Sequence, residues 1–241
     1  MKKILFLIFF VVVAGVAAVV RVDAASAKND KKITHEKPDM EAIKAAVTDP
    51  HSKYYYPKLM DKYLANETIM GLQDYRHLYL GYMFQEDYNP YRHSEFGNKI
   101  EPLYYKDKHT RAELDTIIKY AELSLDDNPF DLRQLNFLIY ALRSRGKVNT
   151  ANIWQYRMNH ILEAILSTGT GLDTANAWYV INPEHEYNII NFMSGIADSQ
   201  EFVQPYYDYV KIKPMSDKSP EGYYFNIKNL LEEYNRKYPE D

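Results

Sequence analysis

Residues 110–166 read TRAELDTIIKYAELSLDDNPFDLRQLNFLIYALRSRGKVNTANIWQYRMNHILEAIL. Thr110 followed by Glu113 has the spacing of a capping box, in which each side chain reaches the other's backbone N–H at a helix start. Leu114, Ile117, Ile118, Ala121 and Leu125 then recur at steps of three and four, the rhythm of one buried helical face. Asp127-Asn128-Pro129 breaks that helix. Leu132, Leu135, Leu138, Ile139 and Leu142 line a second one, ending near Gly146. Trp154, Met158, Ile161, Leu162, Ile165 and Leu166 line a third, closed by Gly169 and Gly171. Connections this short between amphipathic helices predict antiparallel neighbours packed side by side.

The spacing from Pro129 to Leu135, Leu138, Leu142, Gly146 and Ala151 is similar to the tetratricopeptide pattern of paired helices. It departs from that pattern at Ile139, where a small residue is expected, and at Gln155, where an aromatic is expected. A second echo, at Leu80-Gly81 with Phe84, places a helix over Leu72–Phe84. Upstream, apolar spacing predicts helices from about Pro38 to Val47 and from Tyr54 to Leu64.

Beyond Gly171 the composition shifts to short aromatic and β-branched runs, Trp178–Ile181, Tyr207–Ile212 and Tyr223–Ile227. Glu184–Phe192 lies between the first two as a helix, and Ile227–Tyr238 closes the chain as another. The expectation is a mainly α fold of stacked, tetratricopeptide-like antiparallel helix pairs, with a small C-terminal antiparallel β element at about 177–228.

The N-terminus has the form of a secretory signal: Lys2 and Lys3, an uncharged apolar run over Ile4–Val20, and Ala25-Ser26-Ala27 as the cleavage site. Val22-Asp23-Ala24 is a second candidate site, and an uncleaved anchor is the alternative, since the run is at the lower edge of a membrane span. The domain assignment is therefore a signal peptide at 1–27, a flexible leader at 28–37 and one domain over 38–241. The expected location is periplasmic or secreted, without stable membrane insertion after cleavage. Removing residues 1–27 takes away Lys2, Lys3, Arg21 and Asp23 and leaves 26 basic and 32 acidic side chains, a net charge of −6 with His neutral. Nucleic acid, which needs a concentrated basic surface, is not an expected partner. The chain has no Cys, so disulfides and thiolate chemistry are absent. It lacks HExxH, GxSxG and phosphate-loop motifs, and no metal or cofactor is expected.

The composition anomaly is 23 Tyr against two Trp. Two segments concentrate aromatic and polar groups, YRHLYLGYMFQEDYNPYRH over Tyr75–His93 and PEHEY over Pro183–Tyr187. From them come the candidate binding residues Tyr75, Arg76, Tyr79, Glu86, Asp87, His185, Glu186 and Tyr187. Arg76 falls inside an apolar helical arc. Either its stem snorkels, or its head is buried against an acid, with Glu86, Asp87 and Glu186 as candidates and Glu186 favoured because it would join the two segments. His185 and Glu186 face different directions on a helix, so acid–base chemistry there needs Glu86, Asp87 or His93 as a partner.

The run Tyr54-Tyr55-Tyr56-Pro57-Lys58-Leu59-Met60, the stretch from Tyr75 to Tyr91, the Ser167–Gly171 turn and His185-Glu186-Tyr187 resemble an uncharacterised family of exported proteins from Bacteroidales-type bacteria, a domain of unknown function. The resemblance covers most of the mature chain. It implies export and a helical fold and assigns no catalytic residue. The functional expectation is an exported binding module for a peptide, protein or glycan, a role that stacked helices serve through a concave face. Two rival readings are a hydrolase with Glu86, Asp87 and His185 around a tyrosine-lined cleft, and a purely structural envelope subunit.

Overall fold

The computed structural model describes residues 34–66, 69–214, 216 and 219–239. The signal-peptide reading lies outside them, as does most of the leader. Helices α1 (Met40–Thr48), α2 (Tyr56–Leu64) and α3 (Leu72–Gly81) come first, followed by a short α4 (Glu95–Asn98). Asp39 caps α1 by accepting from Ala42 N, and Pro57 sits in the first turn of α2, where its missing N–H costs no hydrogen bond. α3 ends three residues earlier than the periodicity predicts and continues as a 3₁₀ turn over Tyr82–Phe84. Gly81 is required by space rather than by backbone conformation: a Cβ there would stand 2.6 Å from Val47, where α1 presses on α3.

The stretch that decides the fold forms α5 (Arg111–Asp127), α6 (Leu132–Ser144) and α7 (Val148–Leu166). The capping box is present, with Glu113 N donating to Thr110 Oγ1 at 3.3 Å and Thr110 N to Glu113 Oε2 at 2.8 Å. α5 packs along α6, α6 along α7, and α7 along α3, which is central enough to be buried at Tyr75, Arg76, Leu78, Tyr79, Leu80 and Gly81. Gly146 takes a φ of +74°, the left-handed geometry of a helix C-terminal turn, and Lys147 N returns to Leu142 O at 2.9 Å. Ala151 is fully buried.

The C-terminal part contains β1 (Trp178–Tyr179), α8 (Glu184–Phe192), β2 (Ala197–Val203), β3 (Tyr207–Ile212), β4 (Gly222–Asn226) and α9 (Lys228–Lys237). The strand order is β1-β4-β3-β2. The sheet is mixed rather than antiparallel throughout, because β1 pairs in parallel with β4, Trp178 against Phe225. β2 is missing from the sequence expectation: ADSQEFV is an edge strand with mostly exposed side chains, so it lacks the apolar alternation that marks a half-buried strand. The glycines after α7 do more than end it. A Cβ on Gly169 would meet Asn176 O at 2.1 Å, and Gly169 O accepts from Trp178 Nε1 at 2.9 Å, so this turn is the seam where helices and sheet meet. Buried residues from helices and sheet form one continuous core. Among the described residues, no helix is long and apolar enough to cross a membrane.

Candidate functional site

Arg76 is buried, 4 % exposed, so the snorkelling alternative does not hold. Nor does its pairing with Glu186. Its Nη1 donates to Ser167 Oγ at 2.7 Å and its Nη2 to Glu36 O at 2.8 Å. Burial lowers its pKa and the Glu36 carboxylate opposes that shift. The guanidinium is thus a clamp: it holds the end of the leader, whose Glu36 N also donates to Ser167 O at 2.8 Å, against the C-terminus of α7. The two hydrogen bonds go to a hydroxyl and a leader carbonyl, with the Glu36 carboxylate acting on the cation through its charge and not through a direct ion pair. Tyr75, from the same helix, is packed edge-on against Tyr63 with ring centroids 6.3 Å apart and lies in the core.

The two polar segments do meet, through other residues. Tyr79 Oη lies 2.7 Å from His185 Nδ1 and accepts from Ile181 N at 3.3 Å, so the hydroxyl donates to the imidazole. The other ring nitrogen donates its N–H to the Phe130 carbonyl, and burial pushes the His185 pKa down to about 3. A neutral imidazole with both nitrogens engaged is a structural strut; it has no lone pair left for a substrate proton. Tyr88 Oη adds a second link by donating to Ile181 O at 2.7 Å. Glu86 and Asp87 stay exposed, and their charges act on Lys237 near the end of α9. The three groups expected of a hydrolase, Glu86, Asp87 and His185, are not brought together in a cleft.

Glu186 is wholly buried beside Asp208, which is 8 % exposed. Gln200 Nε2 donates to Glu186 Oε2 at 2.9 Å and to Asp208 Oδ2 at 3.1 Å, and Tyr187 Oη donates to Gln200 Oε1. Burial first, and then the Asp208 charge, hold the Glu186 carboxyl well above its ordinary range. Burial and the neighbouring Asp208 both favour the protonated form, since two adjacent buried carboxylates repel too strongly to ionise together. Gln200 and Asp208, on β2 and β3, were not among the sequence candidates. Their separation from Glu186 along the chain hides a contact that only the hairpin creates.

The opposite flank of α8 is open. A cleft of about 280 Å³ is lined by His93, Ser94 and Gly97 at α4, Tyr104 and Ser124, Asp131, Arg133 and Gln134 at α6, and Glu184. His93 Nδ1 is 3.9 Å and Arg133 Nη2 3.7 Å from the Glu184 carboxylate. Asp131 caps α6 by accepting from Gln134 N at 2.9 Å, and burial raises its pKa, with Glu184 adding to the effect. On the inner wall, Ser124 Oγ and Gln134 Oε1 are buried and have no hydrogen-bond partner within the protein. Gly97 leaves their approach clear, because a Cβ there would lie 2.9 Å from Gln134 Nε2 and 3.3 Å from Ser124 Oγ. Of these residues, the sequence motifs contain only His93 and Glu184. Ser124 and Gln134 sit on helical faces that read as ordinary core stripes.

These features define a helical domain with a small mixed sheet and one polar, partly unsatisfied cleft between its helices. The chain belongs to the family described as Domain of unknown function (DUF4919), whose model matches residues 41–236. No curated protein and no solved structure matches it. Among the described residues, no group of three or more His, Asp or Glu is placed to hold a metal ion.

Proposed function

We propose that the protein is an exported binding module, periplasmic or secreted, that takes a peptide, protein or glycan ligand at the cleft beside α8. The observation that carries this reading is the pair of buried, unpartnered groups on the cleft wall, Ser124 Oγ and Gln134 Oε1. An unmet buried polar atom costs about 1–3 kcal/mol, and a ligand that supplies the missing partner recovers it. The signal-like N-terminus supports export, and the helices α5 to α7 fit a degenerate tetratricopeptide-like stack in a family of Bacteroidales-type exported proteins. Binding alone accounts for the charged groups too: Arg133 and His93 flank Glu184, an arrangement that orients a polar ligand without a free base.

The test is to probe labelled mature protein against peptide and glycan arrays, with Gly97→Val as the control that fills the cleft. Binding lost in the variant supports the reading. No binding, or binding indifferent to Gly97→Val, overturns it. For export, protein recovered from the envelope or medium is expected to begin at Lys28 or within a few residues of it; an intact Met1 in membranes would show an anchor.

A further inference from the structure

We infer that the cleft takes an uncharged sugar ring, the terminal unit of a glycan; this rests on the binding-module reading and narrows its ligand. Charge decides the class first. Three carboxylates, Glu101, Asp131 and Glu184, line the cleft against one guanidinium, Arg133, so an anionic ligand meets net repulsion. A cation gains little, since the N-terminal ends of α6 and α8 both open here, each carrying roughly half a positive charge, and together with Arg133 they offset most of the carboxylate charge. The carboxylates are also engaged: Asp131 with the backbone of α6, Glu184 beside Arg133 and His93. What remains unmet is neutral.

Ser124 Oγ both donates and accepts, and Gln134 Oε1 accepts, so the wall calls for groups that can do either. Neighbouring hydroxyls on one small ring supply donor and acceptor side by side in a compact group, whereas a peptide carries its N–H and C=O on an extended backbone. Size agrees. At about 280 Å³ the cleft falls just below the range of drug-sized pockets, and it suits one ring rather than an extended chain. Gly97 completes the case. A glycine inside the four-residue α4 weakens that helix, and its use is to leave room above Gln134 and Ser124.

The experiment is a calorimetric and saturation-transfer NMR titration of the mature protein at neutral pH. The probes are glucose, galactose, mannose and N-acetylglucosamine, their charged counterparts glucuronate and glucosamine, and the neutral peptide analogue N-acetylalaninamide. At least one neutral sugar is expected to bind, at least tenfold tighter than the charged sugars and the peptide analogue. Gln134→Met is expected to weaken it tenfold or more, and Ser124→Ala threefold or more with an undiminished melting temperature, which keeps the test sound if the first variant folds poorly. A charged sugar or the peptide analogue binding as tightly, no neutral sugar binding at millimolar concentration, or insensitivity to both variants would overturn the sugar assignment. If array peptides still bind in a manner lost on Gly97→Val, the binding-module reading stands without it; if nothing binds in either experiment, both fall.

Discussion

The two flanks of α8 are built from consecutive residues and behave in opposite ways. On the inner flank His185 is held by Tyr79 and Phe130, and Glu186 Oε2 accepts from Gln200 beside Asp208, so that most of the buried polarity is met by protein, with Glu186 Oε1 left unpartnered in the core. On the outer flank Glu184 looks into a cleft where Ser124 Oγ and Gln134 Oε1 have no protein partner. Proximity of titratable groups is therefore a poor guide to a site. Both flanks carry ionisable side chains, and the perturbed protonation of the inner cluster is what structural networks also produce. The difference lies in access: the inner network is enclosed in the core, and the outer groups line a cleft that a ligand can enter.

The largest test of that contrast is Tyr79→Phe, which leaves His185 Nδ1 and Ile181 N–H buried and unpaired. It is expected to destabilise the fold by about 2–4 kcal/mol in chemical denaturation, since each orphaned group carries its own desolvation cost. A loss below about 1 kcal/mol would show that the inner network is not the strut described above.

Glu186→Gln sharpens the account of the carboxyl pair. With its folded pKa raised, Glu186 binds its proton more tightly in the folded state than in the unfolded one. Its contribution is thus present at acid pH and is lost as pH rises from its ordinary value of 4.5 through the raised one. The amide mimics the neutral acid and lacks that loss. The variant is expected to match the wild type near pH 4 and to gain on it steadily toward neutrality in parallel thermal melts. The His185 contribution runs the other way, lost as pH falls below 6.5, but it is common to both proteins and cancels. Parallel pH profiles would contradict the raised Glu186 pKa.

Ser124→Ala probes the outer flank. Removing a buried hydroxyl that has no partner is expected to change stability by less than about 1 kcal/mol, in the stabilising direction. Destabilisation beyond that would mean the hydroxyl is met within the fold. The smallest effect belongs to the pairing that sequence favoured and the fold did not form. A double-mutant cycle on Arg76→Met and Glu186→Gln is expected to give a coupling below about 0.5 kcal/mol, the value for residues without shared partners. A coupling above 1 kcal/mol would restore the link.

Local sequence carries whatever depends on near neighbours along the chain. The Thr110–Glu113 capping box, the apolar steps of α5 to α7 and the turn at Gly146 follow from helical geometry over a few residues, and each is where the pattern puts it. The same is true of Arg76 as an anomaly, since an arginine on an apolar arc is visible from periodicity alone. Its partners are not, because Ser167 and Glu36 meet it through a carbonyl and a hydroxyl that no charge pattern announces. β2 was illegible for a related reason: an exposed edge strand has no hydrophobic period, and it becomes a strand by pairing with β3. Tertiary structure alone decided which buried polar groups found partners. Hydrogen-bond satisfaction depends on ångström-scale approach between elements distant in sequence, so only folding could close the Tyr79–His185 contact and leave Ser124 and Gln134 open.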